Sequence, residues 1–272
     1  MNLRTGLVSA LVAAIVAAIV SAATLAYVLH RTGELQTALS GTSSGAAPDD
    51  AKVIGIVRDY LTKNPEILVE MTTELDKRQA AEQDAKQQTE IGKNADKLFR
   101  SPASFVGGNP DGDVTVVEFF DYNCGYCKRA LPDVVKLITD DKKVRLVLKE
   151  LPIFGDDSEA AAKVALAAKK QGKYFELHQK LFSEPGKANL DKALRIAGEL
   201  GLDVDQLKKD MEDPAIKDAL AENRSLAEAL GAQGTPYYLI GDTVIAGAPD
   251  DLYDELTKKV SEIRQNGCKT TC

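Results

Sequence analysis

A strand that runs almost directly into a cysteine pair leaves this chain few folds to choose from. Val114-Thr115-Val116-Val117-Glu118-Phe119-Phe120 is followed, after three residues, by Cys124-Gly125-Tyr126-Cys127. Val114–Asp121 is rich in β-branched and aromatic residues and reads as a buried strand. Cys124 to about Thr139 reads as a helix, and Pro132 inside it removes one backbone hydrogen bond and should kink it. A cysteine at a helix start meets unpaired N–H groups and the positive end of the helix dipole. Both favour the thiolate, the form that attacks. Two cysteines so spaced can trade one disulfide for two thiols, the setting of a redox site.

The flanking pattern supplies the rest of a domain. Val144–Leu151 reads as the next strand, so strand, helix and strand make a parallel pair with a right-handed crossover. From Asp157 to Leu230 the pattern is helical throughout, cut by Gly, Pro and Asp into segments near 158–171, 174–182, 190–200, 204–211 and 215–230. Gly234-Thr235-Pro236 then leads into a hairpin, Tyr237–Ile240 and Thr243–Ala246 around Gly241-Asp242, and Asp250–Arg264 closes with a helix. Gly107-Gly108-Asn109-Pro110-Asp111-Gly112 is turn chemistry and marks the entry to this domain. The order βαβ, helical block, ββα is an α/β class chain, a thioredoxin fold with a helical insertion.

The ends of the chain carry a different message. Leu7 to Leu29 is a stretch of 23 residues without a charge, preceded by Arg4. It is long enough to span a bilayer as a signal anchor. The alternative is a cleaved signal peptide with Leu7–Val20 as its apolar core and Ser21-Ala22-Ala23 as its small-residue site. Either reading takes the rest of the chain out of the cytoplasm, into a compartment that permits disulfide exchange. Residues 1–30 are therefore the transmembrane or signal segment and 31–50, rich in Gly, Ser, Thr and Ala, a flexible linker. Residues 51–100 form a helical extension, with one helix to about Lys63 and a second from Asn64-Pro65-Glu66 to about Phe99. Val53, Ile54, Ile56, Val57, Tyr60 and Leu61, then Ile67, Leu68, Met71 and Leu75, give it an apolar face. The stretch from Asp76 to Glu90 is nearly all polar. Such a face must pack on something, and self-association is favoured over docking on the chain's own domain. Residues 101–266 are the redox domain, with the insertion at about 153–233, and 267–272 a C-terminal tail.

Composition excludes several activities. The net charge is −7, and no basic stripe speaks for nucleic acid. With His30 and His178 as the only histidines, a His-rich metal site is impossible. A Cys₄ zinc site would have to recruit Cys268 and Cys272, whose spacing and distance along the chain fit poorly. No metal and no cofactor is called for. Cys268 and Cys272 read instead as a local second disulfide, with a second redox couple or free thiols as alternatives.

Thr235-Pro236 directly before a strand reinforces the redox reading, because in a thioredoxin fold a cis proline there faces the CxxC. With these motifs in view, VTVVEFFDYNCGYCKRALP at 114–132 and GTPYYLIGD at 234–242 resemble the DsbA family of thiol–disulfide oxidoreductases. NPEILVEMTTELDKRQ at 64–79, with GNPDGDVTVVEFFDY, resembles its ScsC-like branch. The likeness covers about residues 50–264. It implies Cys124 as the exposed nucleophile, Cys127 as the resolving partner, and Gly125 and Tyr126 as the dipeptide that tunes the couple. It implies Thr235 and Pro236 as substrate contacts and Glu118 as a buried acid that relays a proton to or from Cys127, the alternative being a Glu exposed at a sheet edge. Lys149 and Glu150 read as an ion pair near that acid or, more simply, a solvated pair. His178 reads as a packing or surface residue.

The resemblance also implies partners and place: cysteine-containing exported proteins as substrates, a membrane redox partner that resets the site, a homo-oligomer such as a trimer through the extension, and no nucleic acid. The setting would be the periplasm, with residues 7–29 anchored in the inner membrane or, after signal cleavage, a soluble protein. Gly-Tyr lacks the histidine of the strongest oxidases in the family. The couple should be less oxidising than the roughly −120 mV of DsbA and nearer the about −180 mV of disulfide isomerases, which leaves oxidase and isomerase both open. A redox-inert chaperone or interaction module with a structural disulfide is the reading from another class.

Overall fold

A computed structural model describes residues 50–268 of the chain. The stretch 7–29 and Cys272 lie outside the described residues, and so do the expectations placed on them. Contacts divide the chain after Leu75 into two units.

In the first unit, α1 spans Asp50–Lys63 and the next helix, α2, starts at Glu66 and runs to Lys93. Asp50 stands in the first turn of α1 and Lys63 in its last, each with the sign that the helix dipole favours. The apolar side chains of Val53, Ile54, Ile56, Val57, Tyr60, Leu68, Val69, Met71 and Leu75 are exposed.

The second unit begins within α2, at Asp76. The single helix expected to reach Phe99 is broken. The Asn94 side chain bonds back to the Glu90 carbonyl at 3.0 Å, its backbone leaves helical geometry, and a short helix α3, Ala95–Phe99, follows. A strand that the sequence reading took for turn chemistry comes next, β1, Phe105–Gly108. The second of its two glycines is there for close approach. Gly108 has φ +65°, and a Cβ on it would stand 2.6 Å from the Val144 carbonyl oxygen.

Next come β2 (Val114–Phe120), α4 (Gly125–Asp140) and β3 (Val144–Glu150), the expected parallel unit. Five helices form the insertion: α5 (Asp156–Lys170), α6 (Tyr174–Ser183), α7 (Leu190–Glu199), α8 (Val204–Asp210) and α9 (Pro214–Ala229). Asn189, Asp203 and Asp213 cap α7, α8 and α9 by accepting backbone N–H bonds. The hairpin β4 (Tyr237–Ile240) and β5 (Thr243–Ala246) and the helix α10 (Leu252–Asn266) complete the order.

The sheet order is β1-β3-β2-β4-β5, so β2 is central and no edge runs along Glu118. Every residue of β2 from Val116 to Phe120 is buried, as two covered faces require. One face carries Val114, Val116, Phe120, Leu146 and Leu148 and packs against α4, α10 and the insertion. Val117, Phe119, Val147 and Leu239 on the other meet Ile91, Leu98, Phe99, Leu226 and Leu230. The C-terminal part of α2 is tied down by its glutamines. Gln87 donates to the Leu230 carbonyl and the Tyr237 hydroxyl, and Gln88 to the Asp242 carbonyl. The polar stretch of the extension thus ends in bonds to the domain.

Candidate active site

Parallel strands bring their C-terminal ends to one edge of the sheet, which is where sites form in such folds. From that edge of β2, Cys124 caps α4. Its backbone is extended (φ −79°, ψ 117°), and its sulfur accepts the Cys127 N–H at 3.4 Å. The Thr235–Pro236 peptide bond is cis and lies across the site, with the Cys124 thiol donating to the Thr235 carbonyl at 3.1 Å. Cys124 lies less deep than Cys127, yet that segment covers it. The two cysteines are only 3 % and 1 % accessible, so the expected exposure of the first is small.

Electrostatics separates them far more than exposure does. A hydrogen bond from the Cys127 thiol, then the Thr235 hydroxyl and the backbone N–H groups of Cys127 and Tyr126, outweigh burial and pull Cys124 from 9.0 down to about 6. Burial, the bond to Cys124 and the nearby Glu118 push Cys127 far up. Both cysteines are free thiols. The Thr235 hydroxyl is the one buried side-chain oxygen or nitrogen among the described residues with no hydrogen-bond partner. It faces a thiol whose own hydrogen goes to the Thr235 carbonyl, and it favours the sulfur once ionised.

Glu118 is buried on the same face of β2 as the cysteines. Burial raises its carboxyl from 4.5 to about 8, against a hydrogen bond at 3.1 Å from the Tyr238 hydroxyl that lowers it. It acts on Cys127 through its charge. Tyr126 is 60 % exposed, with the Arg129 guanidinium 5.0 Å from its ring centre, and Gly125 faces open space.

Lys149 and Glu150 form neither an ion pair with each other nor a solvated pair. Adjacent residues on a strand point to opposite faces. Lys149 is buried and donates to the Lys97 carbonyl and Ser104 hydroxyl, at 2.8 and 3.0 Å. Burial lowers its amine to about 8. Glu150 is buried on the cysteine side of the sheet and accepts from the hydroxyls of Tyr122 at 3.0 Å and Tyr174 at 2.7 Å. Burial holds its pKa well above the usual carboxylate range. His178 is packed among Phe120, Tyr122, Phe175 and Phe182, 3.3 Å from the Tyr122 oxygen. Burial lowers its pKa to about 3, so it is neutral.

Sequence reasoning gave no role to the three residues between β2 and the motif. Asp121 and Asn123 are both anchored. Asn123 donates to Ser158 and to the Ala188 carbonyl and accepts from the Ala188 N–H. Polar residues wedged between an apolar strand and the CxxC were the available signal. Cys268 is away from this site. It is disulfide-bonded, and its sulfur lies against Gly241 in the β4–β5 turn, where a Cβ would be 2.6 Å from it.

Comparison with known proteins places this arrangement. The family model described as DSBA-like thioredoxin domain matches residues 115–256, and the one described as Copper resistance protein ScsC N-terminal domain matches residues 49–82. A thioredoxin-like oxidoreductase from Silicibacter pomeroyi is 47% identical with a TM-score of 0.61, over 63% of this chain and 98% of that one. Proteus mirabilis ScsC, in a transitional conformation, is 32% identical with a TM-score of 0.58, over 81% of this chain and 97% of that one. Among curated proteins, the Na(+)/H(+) antiporter NhaA 3 of Salinispora tropica is 32% identical over 137 residues, which are 50% of this chain. The chain spans only 21% of that antiporter's length.

Proposed function

The chain belongs to the DsbA-like family of thiol–disulfide oxidoreductases, in its ScsC-like branch, and from that premise we propose that it exchanges thiols and disulfides of exported proteins through Cys124 and Cys127. The observation that carries this reading is the split between the two sulfurs. One is drawn down to about 6 at a helix start, and its neighbour is held protonated.

In the oxidising direction a substrate thiolate attacks Cys124 of a Cys124–Cys127 disulfide. The S–S bond breaks, Cys127 leaves with the electron pair and takes a proton, and Glu118 is the donor. A second substrate thiolate attacks the substrate sulfur of the mixed disulfide, and Cys124 leaves as the stabilised thiolate. Two electrons have then passed from substrate to protein. A disulfide-bearing partner in the membrane takes them away. Run in reverse, the same steps reduce a substrate disulfide; isomerisation follows when the Cys124 thiolate opens a wrong disulfide and a different substrate cysteine then displaces it from the mixed disulfide, with no net electron transfer.

Thr235 and Pro236 form the substrate-contacting segment, and Gly125 and Tyr126 tune the couple. Residues 1–30 carry the chain to the periplasm, by anchor or cleaved signal, and 31–50 tether it. The exposed apolar face through Leu75 assembles protomers, as a trimer in the simplest case, so that several sites act on one substrate. No antiport activity is carried over from the antiporter match.

Paired refolding assays test the activity. Reduced ribonuclease should regain activity with the oxidised chain, and scrambled ribonuclease with the reduced one. In a Cys127→Ala variant the mixed disulfide on Cys124 should accumulate and be visible by mass. Absence of any mixed disulfide would return the chain to a redox-inert interaction module.

A further inference from the structure

Arg129 follows Cys127 by two residues on α4, and the exchange chemistry gives it no part. Three apart on a helix, Tyr126 and Arg129 share a face. The guanidinium stands 5.0 Å from the Tyr126 ring centre, where its charge meets the electron-rich face of the ring. The same guanidinium donates to the Ala248 carbonyl, 119 residues further along the chain. The Asp250 carboxylate is 3.9 Å away and fully exposed, so that ion pair contributes little.

Ala248 lies just past β5 and is buried in the same apolar cluster as Cys124 and Cys127. Its neighbour Gly247 turns the chain with φ +81°, and the Gly247 N–H donates to the Pro236 carbonyl at 2.8 Å. That bond carries the β4–β5 pairing one step past Tyr237 and Ala246. Before Pro236 stands Thr235, whose carbonyl accepts the Cys124 thiol at 3.1 Å. One guanidinium thus touches both walls of the site. On one side is the motif, through Tyr126. On the other is the strand end that carries the cis proline, through Ala248 and Gly247.

The residue type suits this double contact. A planar guanidinium can lie against a ring and still donate from its edge, which the point charge of a lysine cannot do at once. Hydrogen bonds and burial lead the causes that set the Cys124 thiol, and a charge on Arg129 is not among them. Its route to the sulfur is therefore the position of the Thr235–Pro236 segment. We propose that Arg129 is a positioning residue, a clasp that holds this segment at a fixed distance from Tyr126 and Cys124 and so presets the gap that a substrate backbone enters. The proposal rests on exchange at Cys124. A polypeptide substrate needs the segment in place, whereas a small dithiol has no backbone to lay along it.

Two dithiols separate the clasp from the chemistry: a synthetic extended peptide with two cysteines, and dithiothreitol. The full chain is oxidised beforehand, and single-turnover rates are followed at rising dithiol concentration. Each dithiol becomes a disulfide while the Cys124–Cys127 disulfide becomes two thiols, so two electrons and two protons pass to the protein. Arg129→Met should lower the second-order rate with the peptide about fivefold, mainly by raising the half-saturating concentration, the scale of one lost contact. The rate with dithiothreitol should stay within about twofold of the parent's. Arg129→Lys keeps the charge but not the double contact and should lose about as much on the peptide. In both variants the Gly247 N–H should exchange with deuterium severalfold faster, because its strand end is no longer held. Peptide and dithiothreitol rates that fall together would place Arg129 in the couple or the general fold and overturn the clasp. Parent-like peptide kinetics in either variant would overturn it too, and so would unchanged exchange at Gly247. Should Arg129→Met fail to fold, Arg129→Lys decides by the same readings. A parent that oxidises neither dithiol refutes exchange itself, and the clasp with it.

Discussion

Glu118 and Glu150 lie on adjacent parallel strands, on the same face of the sheet, and both are buried with pKa values raised by burial. Their surroundings set them to different work. Glu118 accepts one tyrosine hydroxyl and acts by charge on Cys127, so its protonation state matters to the sulfurs. Glu150 accepts two tyrosine hydroxyls, one of them from Tyr122 in the loop that leads to Cys124, and its backbone carbonyl accepts from Asn223. A buried acid with one partner and a reactive neighbour can move a proton. One clamped between two phenols is part of the frame.

The strongest way to break this contrast is to remove the frame. Glu150→Ala leaves the Tyr122 and Tyr174 hydroxyls without their acceptor and opens a cavity, at a cost of about 3 kcal/mol in unfolding free energy. Glu150→Gln keeps a carbonyl acceptor and should cost about 1 kcal/mol by urea titration. If Glu150→Gln instead altered the pH dependence of exchange while leaving stability untouched, the division between mover and frame would be wrong.

Glu118→Gln sharpens the comparison from the other side. A carboxyl raised from 4.5 to about 8 contributes stability that is complete below pH 4.5 and is lost as pH rises through 8. Glutamine does not titrate, so parent and variant should match near the low end of that window. Above it the variant should be the more stable by about 3 kcal/mol, less than the full linkage value because water can reach a relaxed site. Cys124 titrates in both proteins, so the difference between two reduced chains isolates the acid. Its exchange rate should also lose the pH dependence that Glu118 imposes between 7 and 9, the range around its value of about 8. Parallel stability curves across that range would take Glu118 out of the proton path.

The contrast also shows what the sequence could reveal. Local pattern carries the parallel strand pair, the CGYC helix start, the hairpin after Thr235-Pro236 and the capped insertion helices. Spacing and caps are written in neighbouring residues. Features that depend on distant partners were not legible. Phe105–Gly108 is a strand only because β3 accepts it, and its glycines look like a turn. Lys149 and Glu150 look like a surface pair because adjacency along the chain hides the alternation that sends them to opposite faces. What satisfies them, Ser104 for one and Tyr122 and Tyr174 for the other, is not next to them in the chain. Asp121 shows the same limit, since three of its side-chain partners, the N–H groups of Ile153 and Phe154 and the Ser158 hydroxyl, lie far along the chain and meet it only in the fold.

The smallest expected effect probes the one unsatisfied group at the site. The Thr235 hydroxyl has no partner while Cys124 is a thiol, and it favours the thiolate. Thr235→Val keeps the shape and removes that preference. The hydrogen bond from the Cys127 thiol stands first among the causes that lower Cys124, so most of the depression should survive. The alkylation midpoint of reduced Cys124 should rise from about 6 by less than one pH unit. A thiol lowered from 9.0 to about 6 stabilises the reduced fold above 9.0, and that contribution is lost as pH falls through 6. Raising the midpoint therefore weakens the reduced form slightly at neutral pH, makes the couple less oxidising, and leaves Glu150 and its tyrosines untouched. Iodoacetamide labelling across pH, read by mass, measures the shift. A midpoint that stays in place would mean that the hydroxyl waits for something other than the sulfur, and a substrate backbone group passing Thr235 would then be its partner.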